Sequence, residues 1–164
     1  MSMDIYKRKH IYLIPEDGAD REIANGFKNN LRVNNNQIKV MPEAGGWRKV
    51  LSTFVEEYIP KLKSNKFAHV IMLIDFDGKY AAQRANFEKE IPNDLKDRVF
   101  VVGVKQNPEE LKKELGEKFE QIGSLLADDC FAGTETTWGH EHLRHNDPDR
   151  LRLINVVRPI LFGT

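Results

Sequence analysis

The sequence predicts an α/β domain with a mostly parallel central sheet of about four strands, helices on both faces and a helical C-terminal tail. Two observations carry this. Short runs rich in Ile, Val, Leu and aromatic residues stand at 11–15, 38–41, 70–74 and 99–104, and the segments between them repeat apolar residues at helical spacing. The third and fourth runs are apolar almost without alternation, as strands covered on both faces of a parallel sheet are.

Taken in order, strand 11–15 is followed by a helix over 20–31 with a stripe of Ile23, Phe27 and Leu31, although Gly26 weakens its middle. The polar pairs around Asn29-Asn30 and Asn34-Asn35-Asn36 make a turn before strand 38–41. Trp47, Val50, Leu51, Phe54, Val55, Tyr58, Ile59 and Leu62 then fall on one stripe of a helix that Pro60 should end or kink. After strand 70–74 a short helix over 81–91 stops at Pro92. Beyond strand 99–104, Asn107-Pro108-Glu109-Glu110 is a helix start: Asn as N-cap, Pro in the first turn, Glu three residues after the cap. That helix is expected to run through Leu111, Leu115, Phe119, Ile122 and Leu126. Asp147-Pro148 opens a last helix, closed by Pro159. The expectation is one domain over 1–164, with a core at about 10–110 and a helical extension from about 107.

Composition narrows the function. Lys+Arg and Asp+Glu both number 25, so the formal net charge is zero and a broadly basic nucleic-acid footprint is excluded. A local basic groove drawn from Lys7, Arg8, Lys9, Arg48, Lys79 and Arg84 is still open. The single cysteine, Cys130, cannot form an internal disulfide. The N-terminus is basic but lacks the apolar stretch of a secretory signal, and no run approaches the ~18 apolar residues of a spanning helix. A cytoplasmic location is expected.

In an open α/β sheet, ligands bind at the carboxyl ends of the strands. The loops at that edge read Glu16-Asp17-Gly18-Ala19-Asp20, Glu43-Ala44-Gly45-Gly46, Asp75-Phe76-Asp77-Gly78-Lys79 and Lys105-Gln106-Asn107. Carboxylates therefore converge from three loops and a lysine from the fourth. Hard cations such as Mg²⁺ take oxygen ligands and need only a few carboxylates. Asp75 and Asp77, with Glu16 and Asp20, can supply them. Lys105 can stabilise charge developing on a phosphoryl group. Asp20 has a second reading, as the N-cap of the first helix. Gly45-Gly46 reads first as a tight turn, with a phosphate-binding turn as the alternative.

This arrangement resembles the Toprim domain shared by topoisomerases, bacterial primases and the OLD family of nucleases. Glu16 matches the family's glutamate after the first strand, and Asp75 and Asp77 its Asp-x-Asp after the third. Asp20 and Lys105 stand where the OLD-type nucleases carry a second acid and a lysine, while Gly18 lies one place later than the family's glycine. The resemblance implies a Rossmann-like Toprim fold and an Mg²⁺- or Mn²⁺-dependent nuclease. Glu16, Asp75, Asp77 and Lys105 would be catalytic, and Glu16, Asp20, Asp75 and Asp77 metal-ligating. The substrate would be DNA or RNA, and the neutral charge is compatible with a partner protein such as an ATPase. The helix after Asn107 and the apolar stripe Leu151, Ile154 and Val157 read either as completing the core or as an interface with a second copy of the chain.

Two alternatives stand beside it. In a haloacid-dehalogenase-like phosphatase, Asp75 would be the nucleophile, Asp77 the acid/base, and Asp128-Asp129 the later acid pair. A Toprim-like interaction module would have no catalysis at all. His140, His142 and His145 match no standard zinc spacing. They read as a polar helix start or a partner surface, or as a proton-transfer group approaching the crevice.

Overall fold

Four parallel strands, β1 (His10–Pro15), β2 (Ile38–Val40), β3 (Ala68–Leu73) and β4 (Val99–Val102), form one sheet in the order β2-β1-β3-β4. The structure is a computed structural model and describes residues 7–163. The first six residues of the basic N-terminal stretch, and Thr164, lie outside the described residues.

The strand order follows from two crossovers of opposite sense. From β1 the chain passes through α1 (Gly18–Lys28) to β2 on one side. It then returns over β1 through α2 (Trp47–Thr53) and α3 (Ile59–Ser64) to β3 on the other side. This reversal leaves the ends of β1 and β3 diverging into helices on opposite faces, which opens a crevice between them. After β3, α4 (Tyr80–Glu88) leads to β4, and α5 (Pro108–Leu115), α6 (Phe119–Ala132) and α7 (Asp147–Leu161) complete the chain.

Period-two alternation sorts the strand residues into two cores. Ile11, Leu13, Ile71, Phe100 and Val102 pack with Ile23, Leu111, Ile122, Leu126, Leu153 and Val157 from α1, α5, α6 and α7. Ile14, Val70, Met72, Val99 and Val101 pack with Val50, Phe54, Leu62 and Phe87 on the opposite face. Helices therefore cover both faces, as the strands' continuous apolar character requires. Among the described residues no helix is long and apolar enough to cross a membrane.

Several helix boundaries differ from the sequence expectation. The first helix ends at Lys28 rather than 31, which leaves Leu31 exposed beyond it instead of on the apolar stripe. The helix begun by Asn107, whose side chain accepts from the Glu110 N–H at 3.0 Å, does not run to Leu126. Gly116, in the left-handed region at φ +66°, ends α5, and α6 starts afresh at Phe119. Pro60 does not end its helix. The turn before it, Phe54–Tyr58, widens to π geometry, with the Ile59 N–H bonded to the Phe54 carbonyl, and α3 continues with Pro60 in its first turn. Pro159 lies inside α7, because burial of Ile160 and Leu161 carries the helix past it.

Candidate metal centre

The crevice at the carboxyl ends of β1 and β3 is built from backbone outward. Past the strand ends the ladder continues: the Glu16 N–H donates to Leu73 O at 2.9 Å, and the Ile74 and Phe76 N–H groups donate to Val102 O and Val104 O, both at 3.0 Å. The acids that follow each strand are thus held in register. The Asp75 N–H donates to Glu16 Oε1 at 2.9 Å, tying the two loops together.

Glu16, Asp17 and Asp75 each present a carboxylate oxygen within 4.8 Å of the others. Asp17 was not among the residues singled out from the sequence. It is the N-cap of α1, its Oδ1 accepting from the Asp20 N–H at 3.0 Å. The N-cap reading of Asp20 is therefore corrected. Asp20 sits in the first turn of α1 and is fully buried, at 0% exposure. The spacing of two aspartates three residues apart straight after a strand is the signal that could have found Asp17, since a capping side chain bonds the N–H two or three residues on.

Among the described residues no positive charge offsets the cost of burying these acids. Both carboxylate oxygens of Asp20 and Oδ1 of Asp75 are buried and meet no N–H donor; a proton shared between neighbouring carboxyl groups is the hydrogen bond open to them. Among the described residues no Lys or Arg forms an ion pair with Glu16, Asp17, Asp20 or Asp75. Burial, with Asp17 and Glu16 adding to it and a hydrogen bond with Asp20 opposing it, pushes Asp75 up to about 8. Burial and the charge of Asp75 raise Asp20 well above the carboxylate range. Burial raises Glu16 too, against the opposing hydrogen bond from Asp75. Crowded buried carboxylates are satisfied by protons or by a cation. The oxygen-only donor set suits a hard divalent ion rather than zinc.

The other expected site residues stand at the rim. Asp77 is exposed, in the left-handed region at φ +51°, and its charge is felt at Glu16. Its N–H donates to Gln106 O at 3.1 Å, and that of Gly78 to Lys105 O at 2.8 Å, so the loops after β3 and β4 are bonded to each other. The Lys105 side chain is exposed, and the backbone N–H of Lys105 donates to His142 O at 2.8 Å. Gly45 and Gly46, at φ +91° and +126°, form the expected tight turn and direct their N–H groups to Glu16 O at 2.8 and 3.3 Å. Those amides serve the loop itself.

Several expected groupings do not form. Residues 7–9 precede β1 and so lie at the opposite edge of the sheet, and Arg84 is committed to buried Asp149 through two hydrogen bonds of 2.9 Å. The six basic residues do not gather into one groove. Asp128 accepts from Asn30 and Arg32 beyond the end of α1, and Asp129 accepts from Thr134, Thr137 and Trp138. The acid pair that a phosphatase would need is thus engaged elsewhere. The histidines split as well. His140 and His142 stack at 5.4 Å over Glu114, which both contact, whereas His145 packs edge-on against Phe76 at 5.4 Å and Tyr80 at 4.9 Å. They lie in turns and a short 3₁₀ segment before α7, not in a helix start.

No family model, curated protein or solved structure matches the chain.

Proposed function

We propose that the acidic crevice between β1 and β3 binds Mg²⁺ or Mn²⁺ and that the protein is a Toprim-type nuclease cleaving nucleic-acid phosphodiester bonds. The observation that carries the reading is the convergence of Glu16, Asp17 and Asp75 in front of the fully buried Asp20, whose carboxylate meets no N–H donor and faces only other carboxyl groups. A cation held there would supply Lewis-acid stabilisation of the phosphoryl group and activation of water.

The chain's own residues divide the remaining work. Glu16, Asp17 and Asp75 are the ligands, Glu16 being oriented by the Asp75 N–H. Asp20 lies buried behind them, its affinity for a proton raised by burial and by the charge of Asp75. Asp77, at the exposed mouth, would be the further acid available to a cation held there. Lys105, unpaired with any carboxylate among the described residues, is placed to meet a phosphate oxygen at the rim. The zero net charge and the scattered basic residues favour a partner protein, such as an ATPase, that contributes affinity for the nucleic-acid backbone.

The test is calorimetric titration of Mn²⁺ and Mg²⁺ into the wild type and the Asp75→Ala/Asp77→Ala double variant, followed by nuclease assay of the same samples on single- and double-stranded DNA and RNA. Binding that disappears in the variant is expected. Equal weak heats in both proteins would reduce the acids to turn residues and remove the basis for the nuclease.

A further inference from the structure

We propose that His145 and Asn146 are positioning residues for the acidic centre, acting through Gly103 to fix the loops that carry Asp75, Asp77 and Lys105. The inference rests on the metal-centre reading for its purpose but not for its geometry.

β4 is the edge strand of the sheet, so its outer backbone groups have no neighbouring strand. Residues 142–146 take that place. The Gly103 N–H donates to Asn146 Oδ1 at 3.2 Å, and Gly103 O accepts from Asn146 Nδ2 and from His145 Nε2, both at 2.8 Å. Two residues on, the Lys105 N–H donates to His142 O at 2.8 Å. On the inner side of the same stretch, Val104, Lys105 and Gln106 offer their carbonyls to the N–H groups of Phe76, Gly78 and Asp77. The turn after β4 is therefore clamped from both sides, with the Asp-x-Asp loop on one and the C-terminal extension on the other.

Three further observations give the clamp its precision. Asn146 is fully buried, so its amide cannot exchange these partners for water. Its Nδ2 also donates to Leu143 O at 2.9 Å, so both its donor hydrogens and its acceptor are used. Gly103 approaches β3 so closely that a Cβ there would lie 1.6 Å from Ile74 O, which leaves the backbone no room to shift inward. Meanwhile the His145 ring packs on Phe76, the residue between the two aspartates. One residue thus contacts the loop directly and also through Gly103. Burial lowers the His145 pKa, against the opposing hydrogen bond to Gly103 O and with the Lys105 charge adding to the lowering, while Nε2–H donates to that carbonyl.

The test compares Asn146→Ala and His145→Phe with His145→Gln and with Leu153→Ala, a cavity variant in α7 that serves as a stability control. Phenylalanine keeps the ring on Phe76 and Tyr80 but loses the donor, whereas glutamine keeps a donor. Amide hydrogen exchange at Phe76, Asp77, Gly78 and Lys105 is read by NMR, and Mn²⁺ affinity by calorimetry. The first two variants are expected to accelerate exchange at those four amides and to weaken Mn²⁺ binding, each by about tenfold. Glutamine should recover most of both. Leu153→Ala should lower Tm without singling out these amides. If exchange at the four amides matches that of Leu153→Ala at equal Tm, the proposal is overturned. Should Asn146→Ala fail to fold, His145→Phe decides alone. A wild type that binds no Mn²⁺ would sink the metal reading, while the exchange data would still uphold or overturn the clamp.

Discussion

The backbone N–H of Asp75 donates to Glu16 Oε1 at 2.9 Å across the seam where the chain reverses between β1 and β3. One carboxylate is thereby aimed by the residue that carries the next. Glutamine in place of Glu16 can still accept that hydrogen bond, through an amide oxygen of the same reach, but brings no charge to the cluster. Glu16→Gln should therefore leave thermal stability within about 1 kcal/mol of wild type. It should weaken Mn²⁺ binding by at least about tenfold, since hard cations depend on ligand charge. Thermal melts paired with calorimetry check this. A large loss of stability with intact binding would reverse the assignment.

Stability should depend on pH with an unusual sign. Asp75 keeps its proton in the folded state up to about 8 but loses it near 3.8 when unfolded. Across that window the native state binds more protons, so this group makes stability fall as pH rises, by up to about 1.4 kcal/mol per pH unit. Asp20, also raised, acts in the same direction. His69 and His145, both lowered by burial, pull the other way once pH falls below their ordinary value near 6.5. The acids therefore act unopposed between about pH 7 and 8. In metal-free buffer the wild type should melt higher at pH 7 than at pH 8. Asp75→Asn should be the more stable protein at pH 8, with the advantage vanishing towards pH 4. A pH-independent difference between the two would show that Asp75 ionises normally.

The seat of the site depends on a close helix crossing. A Cβ at Gly123 of α6 would lie 1.8 Å from Ile23 O of α1, and one at Gly26 of α1 would lie 1.9 Å from Glu120 O. Those contacts are with backbone, which cannot swing aside as a side chain can. Gly123→Ala should destabilise by about 1–3 kcal/mol despite its higher helix propensity. Because α1 carries Asp17 and Asp20 at its start, the same variant should weaken Mn²⁺ binding as well. Denaturant unfolding with a parallel metal titration reads both effects. A stabilised Gly123→Ala would mean that the helices separate freely.

Much of the scaffold was legible in the residues. The strands fall within two residues of the apolar runs, because a run covered on both faces tolerates no polar substitution. Asn107 caps its helix as its spacing predicts, through a local bond that owes nothing to the rest of the fold. The errors have a common origin. Leu115, Phe119 and Ile122 keep helical spacing across the break at Gly116, because both helices face the same core, so periodicity alone could not see the break. Asp17 and Asp20 are equally good capping residues by type. Which of them bonds the helix end and which is turned into the crevice depends on where β1 stops and on the packing of α1 against α6.

The sequence by itself determined the alternation of strands and helices and the collection of acids on one set of loops, since both follow from patterns that span only a few residues. It carried no information on strand order, and that order decides which acids meet. β1 lies between β2 and β3, so Glu16 and Asp17 face Asp75, while Glu43 after β2 turns to Arg21 at 3.4 Å. Burial likewise belongs to the tertiary structure. An aspartate loses water only when other elements close over it, and the raised pKa of Asp20 and of Asp75 arises first from that closure. The partnership of Asn146 with Gly103, 43 residues apart in the chain, has the same origin, because it exists only once α7 has docked and brought the edge of β4 within reach.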